Sequence, residues 1–182
     1  MSSSDLIRWG GIGFMLGGVV WIIFNLVTLG LSPEATPGPF PLVLYIVAVL
    51  LSVLGVVGLH ALQKDNYGRI GRGGFYTVVV SSAAIILEAV FFLLSGSVAL
   101  LWLNLVGALG VVVGFVLYGA ATLQAKMLPR WYGMALIIFL PVSWVLGPYG
   151  NVWVGLVQLA LGYVLWMRRE GTPAEQQPRR VR

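Results

Sequence analysis

Cysteine is absent from the 182-residue chain, and histidine occurs once, as His60. Without a thiol there is no disulfide, thiolate metal site, iron–sulfur cluster or cysteine nucleophile. A lone histidine likewise excludes a bis-histidine haem, so neither a cofactor nor a metal is expected. Charge is scarce as well: Asp, Glu, Lys and Arg supply 9% of the residues, against 59% apolar ones, where soluble domains carry about 25% charged residues. The mean hydropathy is +0.94. Too little polar surface remains to coat a soluble core. The composition therefore points to an all-α integral membrane protein with one membrane domain over most of its length.

What the chain does have is long apolar runs. A membrane-crossing helix needs about 20 mostly apolar residues, and six stretches qualify or nearly qualify: residues 9–30, 41–63, 75–94, 98–124, 131–147 and 149–167. The last two are short and could form a tight or partly re-entrant hairpin. Between the runs lie Gly- and Pro-rich breaks, among them Ser95-Gly96-Ser97 and Gly147-Pro148-Tyr149-Gly150, which punctuate helices for steric reasons. The expected layout is a cytoplasmic segment 1–8, a single six-transmembrane-helix bundle over 9–167, and a disordered basic cytoplasmic tail, 168–182. The first run is longer than a signal-peptide core, and Asp5 offsets Arg8, so it reads as a span.

The net charge of +5 is a topology signal rather than a nucleic-acid footprint. With six spans, every cation falls on one side: Arg8, then Lys64, Arg69 and Arg72, then Lys126 and Arg130, then Arg168, Arg169 and the tail arginines. The three opposite connections carry only Glu34. The positive-inside rule then places both termini in the cytoplasm, as for a multi-pass plasma (inner) membrane protein. The same cations, and the basic loop Gly71-Arg72-Gly73-Gly74, are expected to meet anionic lipid headgroups. Trp9, Phe75, Tyr76, Trp131, Tyr132, Tyr149, Trp153, Tyr163 and Trp166 read as an interfacial aromatic belt.

Gly58, Leu62, Gln63 and Arg69 recur 61 residues later as Gly119, Leu123, Gln124 and Arg130. This offset suggests a helical hairpin used three times.

Glu88 is the single formally charged side chain inside an apolar run. A charge at the bilayer centre costs roughly 2.5 kcal/mol or more on insertion scales, so such residues face a bundle interior and mark pathways or sites. Helical spacing puts Glu88 on a stripe with Ser81 and Ala84, and puts Asn25, Asn104 and Gln158 on glycine-bearing stripes of their own helices. Counting about 1.5 Å of rise per residue brings Asn25, Asn104, Ser143 and Gln158 near the depth of Glu88, with Tyr45 and Trp144 close by. His60 lies roughly 15 Å shallower on the same count, which makes it a secondary candidate with an interfacial or capping role. Trp21, Trp102 and Trp144 are deep enough to line a site or to pack. Pro141 should kink its helix.

Catalysis finds little support. Ser95 and Ser97 sit at the opposite boundary from His60, out of the hydrogen-bond reach that a nucleophile and its base require. Asp5, Asp65, Glu170 and Glu175 are isolated near the ends, so no carboxylate pair is available for metal-assisted chemistry. The expectation is a noncatalytic protein that binds or transports a small solute, proton or apolar ligand through a cavity around Glu88. The alternative is a noncatalytic membrane subunit or assembly factor, with a second copy or another membrane protein as its partner, whose polar layer serves packing.

Overall fold

A computed structural model describes residues 3–30 and 38–167. Most of the connection after the first helix and the tail with Arg168 and Arg169 lie outside the described residues. All regular structure among the described residues is helical: α1 (Ser3–Leu29), α2 (Pro39–Gln63), α3 (Gly68–Ser95), α4 (Leu101–Ala125), α5 (Arg130–Val145), a 3-10 turn (Gly147–Tyr149) and α6 (Gly150–Met167). Five of the six helices are long and apolar enough to cross a membrane, and α5, at 16 residues, is a shorter apolar helix. Large apolar side chains such as Leu26, Val80, Leu87 and Leu105 stand exposed around the outside. A surface this apolar suits lipid rather than water.

Helix α3 starts two turns earlier than hydropathy suggests. Gly71 and Gly74 are buried within it, and the Tyr67 ring packs over Gly71, so the Gly-Arg-Gly-Gly stretch is helix rather than loop. Gly71 and Gly74 leave room for neighbours, whereas Gly73 faces open space. The other end of α3 is set by Gly96, whose φ of 63° turns the chain left-handed while its N–H reaches the Phe92 carbonyl, a conformation glycine adopts without penalty.

Each helix packs on its neighbours in sequence, and α1 packs along α6 to close the circuit. Neighbours run antiparallel. Gly11 lies against Gly162 and Trp166 while Gly18 lies against Gly155, and Gly74 meets Gly114 and Tyr118 while Gly107 meets Ser81 and Ile85. The contact between α1 and α6 is backbone to backbone: a Cβ at Gly18 would stand 2.5 Å from the Gly155 carbonyl oxygen, and one at Gly155 2.5 Å from that of Gly18. Small residues let helices approach in this way where lipid offers no hydrophobic drive to associate. The arrangement brings Ser3 and Met167 to one end. The half of the molecule containing that end is called the near half, and the opposite half the far half.

The 61-residue offset does not carry over into equivalent packing. Gly58 packs on Gly10 of α1, the preceding helix, whereas Gly119 packs on Gly133 and Ile137 of α5, the following one. Gln63 is fully buried and Gln124 exposed. The matched residues thus occupy different environments, and helical-hairpin repetition gains nothing from the structure.

Candidate functional site

The circuit encloses a central cavity of about 480 Å³ in the far half, with side chains from all six helices in its wall. Its ceiling on volume is set by aromatic rings. Trp21, Phe24 and Tyr45 form one cluster, with Tyr45 edge-on to Trp21 at 5.6 Å and tilted against Phe24 at 5.6 Å. Phe115 and Phe139 meet edge to face at 4.9 Å on the opposite side, a favoured geometry for ring quadrupoles. Trp144 and Gly147, both exposed, carry the cavity to the surface.

The polar groups in this wall are few and mutually bonded. Ser52 of α2 is the node. Its hydroxyl donates 2.7 Å to the Ala48 carbonyl, and it accepts from the Trp21 indole at 3.2 Å and from Gln158 Nε2 at 2.9 Å. Gln158 Oε1 lies 3.1 Å from the same hydroxyl. Three helices, α1, α2 and α6, are joined through one small side chain. Ser143 also lines the cavity and donates 2.7 Å to the Leu140 carbonyl on its own helix. Near Pro141, which cannot donate a backbone hydrogen bond, the Trp153 indole adds a bond from α6 to the Phe139 carbonyl at 3.1 Å.

Glu88 stands beside this cavity, not inside it. The carboxylate is half-buried between α3 and α4, where Asn104 Nδ2 donates to its Oε2 at 3.1 Å. Tyr45 is the link: its ring is in the cavity wall, and it stands near Asn104 and Glu88. The single polar layer read from depth is therefore two separate groups, Glu88–Asn104–Tyr45 and Gln158–Ser52–Trp21. Asn25 joins neither. It is fully buried, and neither side-chain atom makes a hydrogen bond among the described residues.

Toward the near half, Val56, Val78, Phe115 and Phe139 form the cavity floor, and Leu59, Leu136 and Leu161 fill the layer beneath with no exposed surface. Below that plug lies a second polar region that sequence reading missed. Gln63, Tyr118 and Tyr132 are fully buried and Thr122 nearly so. The Thr122 hydroxyl donates to Gln63 Oε1 at 3.0 Å, yet Gln63 Nε2 and the Tyr118 and Tyr132 hydroxyls have no partner among the described residues. Tyr132 is thus a core residue and not part of an interfacial belt. Trp102, by contrast, is 60% exposed and does not line the cavity.

His60 sits in this near half, far from Glu88. Its ring hydrogen-bonds the Tyr67 hydroxyl and stacks on Phe75 at 3.9 Å. Burial pushes the Tyr67 phenol above its ordinary pKa, with Arg72 opposing the shift, so it remains a neutral hydrogen-bonding group at neutral pH. Asn66 Nδ2 reaches Met127 Sδ at 2.9 Å, tying the α2–α3 connection to the α4–α5 connection. Lys64, Arg69, Arg72, Lys126 and Arg130 are all exposed at this end. Among the described residues no three His, Asp or Glu side chains gather as a metal-ligand set.

Comparison with protein-family models, curated proteins and solved structures gave no match. The geometry alone carries the functional argument.

Proposed function

We propose that the chain is a six-span membrane protein that holds a small, mainly apolar ligand in the central cavity, with the Ser52–Gln158–Trp21 group as its hydrogen-bonding anchor. The supporting observation is the cavity itself. At about 480 Å³ it falls within the range of small-molecule sites, roughly 300 to 1,000 Å³, which are typically apolar pockets with a few placed polar groups. Its walls come from every helix, so ligand occupancy would be felt by the whole circuit. The cavity would lie beside Glu88 and not around it.

For topology, the reading places both termini and the near half on the cytoplasmic side of the plasma (inner) membrane. Every described Lys and Arg belongs to that end, as the positive-inside rule requires, and the exposed cations there are suited to anionic headgroups. Helix α5 would be the thin span. Its 16 residues rise about 24 Å, short of a hydrocarbon core of about 30 Å, a mismatch met by local thinning or snorkelling of flanking residues. Transport is the second reading, favoured by the plug: a cavity reaching the surface on one side and sealed on the other is one state of an alternating-access cycle.

The binding test uses protein in nanodiscs and equilibrium dialysis of a neutral naphthyl alcohol. Binding above that of empty nanodiscs is expected for the native chain and lost in Ala108→Trp, which fills the cavity. Equal uptake by both proteins would sink the reading.

A further inference from the structure

We propose that the cavity selects a cationic amphiphile, an aromatic or alkyl ammonium, over a neutral molecule of the same shape, with Glu88 as the countercharge. The inference rests on the cavity-binding reading and adds the ligand's charge to it.

Three observations converge. No Lys, Arg or His contributes to the cavity wall, and every described cation lies in the opposite, near half. Glu88 is consequently a carboxylate without a basic partner among the described residues, held by a single amide at 3.1 Å. A cation brought near such a carboxyl favours its ionised form and is attracted to it over a longer range than in water. Among the described residues no Lys, Arg or His lies in the far half.

The path from that charge to the cavity is short. Glu88 stands one helical turn from Ile85 and Asn104 one turn from Ala108, and both Ile85 and Ala108 form part of the wall. The ring of Tyr45 faces the cavity beside them. The rest of the wall suits a cation's greasy portion and its head alike. Trp21, Phe24, Tyr45 and Trp144 supply ring faces, whose quadrupoles attract ammonium groups. An anion would meet the same quadrupoles and the same carboxylate as repulsion.

The experiment compares two isosteres that differ in one atom: (2-naphthylmethyl)trimethylammonium and 2-neopentylnaphthalene, in which carbon replaces the quaternary nitrogen. Both are dialysed against the native chain in nanodiscs of zwitterionic lipid, with empty nanodiscs as the blank. The ammonium is expected to bind about tenfold more tightly, a margin supplied by the carboxylate once the ring attraction has offset the ammonium's own dehydration. In Glu88→Gln the ratio should fall to near one, and in Glu88→Asp it should be largely kept, with size-exclusion profiles checking that each variant is intact. Equal affinities in the native chain, or a preference that survives Glu88→Gln, would overturn the charge selection while leaving cavity binding in place. If neither isostere binds the native chain, the cavity reading itself fails and this inference with it.

Discussion

The cavity wall of the far half and the core of the near half bury polar side chains in opposite ways. In the far half Ser52, Gln158 and Trp21 bond to one another beside an open cavity. In the near half Gln63 Nε2 and the Tyr118 and Tyr132 hydroxyls are buried without partners among the described residues, in a sealed core. An unmade hydrogen bond in an apolar interior costs about 1–3 kcal/mol. The chain thus pairs the polar side chains of the cavity wall, while Asn25, buried in the far half outside that network, shares the unpaired state of the near-half groups among the described residues. The difference teaches that the far-half network is a preorganised surface, whereas the near half is held by close packing despite its hydroxyls.

The plug that divides the halves offers the largest effect. Phe139 is 2% exposed, lines the cavity floor and meets Phe115 edge to face. Phe139→Ala should destabilise by about 3–5 kcal/mol, the usual range for a buried Phe-to-Ala change, measured by thermal unfolding in detergent. It should also join the cavity to the layer below. The cysteine-free chain makes this directly visible: a thiol introduced at Leu136 should resist a small maleimide in the native background and react once Phe139 is Ala. Rapid labelling at Leu136 with Phe139 intact would erase the distinction between open and sealed halves.

The far-half network comes next. Ser52→Ala removes the shared partner of Trp21 and Gln158, and at least one of them is left unpaired. The expected loss is about 1–3 kcal/mol, reduced where the freed groups find other partners, since hydrogen bonds measured in membrane proteins average about 0.6 kcal/mol. Ser52→Thr should retain most of the stability. A neutral Ser52→Ala would show that these contacts do not organise the cavity wall.

Much of this arrangement was legible in the sequence, and the reasons for the rest are specific. Long apolar runs placed the helices, and glycine spacing identified their contacting faces, because both depend on local periodicity. Glu88, Asn104 and Tyr45 were all named, and the structure brings them together. Gln158 was named too, but in the wrong company: depth gives a level along the membrane normal, not the order of helices around the circuit, and α6 turned out to face α1. Ser52 was missed because a serine in the run Leu-Leu-Ser-Val-Leu has no local mark, and one that bonds its own Ala48 carbonyl satisfies itself as well as any spectator would. Tyr132 was misread as interfacial since a tyrosine beside Arg130 and Trp131 has the composition of a belt. What buries it is contact with the core of the neighbouring helices, which no one-dimensional pattern carries.

Tyr132→Phe is the smallest expected effect and the most discriminating, because its sign is the opposite of the other two. The ring is fully buried in the near-half core, so its apolar contacts survive the substitution. Only the hydroxyl is lost, and that hydroxyl makes no hydrogen bond among the described residues. Removing an unsatisfied buried polar group relieves its desolvation penalty, so the variant should be more stable by up to about 1 kcal/mol, read as a raised unfolding midpoint at unchanged protein concentration and lipid. Ser52→Ala, which also deletes one hydroxyl, should lower the midpoint under the same conditions. If Tyr132→Phe lowers it as well, the hydroxyl has a partner in the membrane-embedded protein and the near half is as well satisfied as the far half. The contrast would then reduce to one of volume alone, with the cavity set apart by its space and not by the pairing of its polar groups.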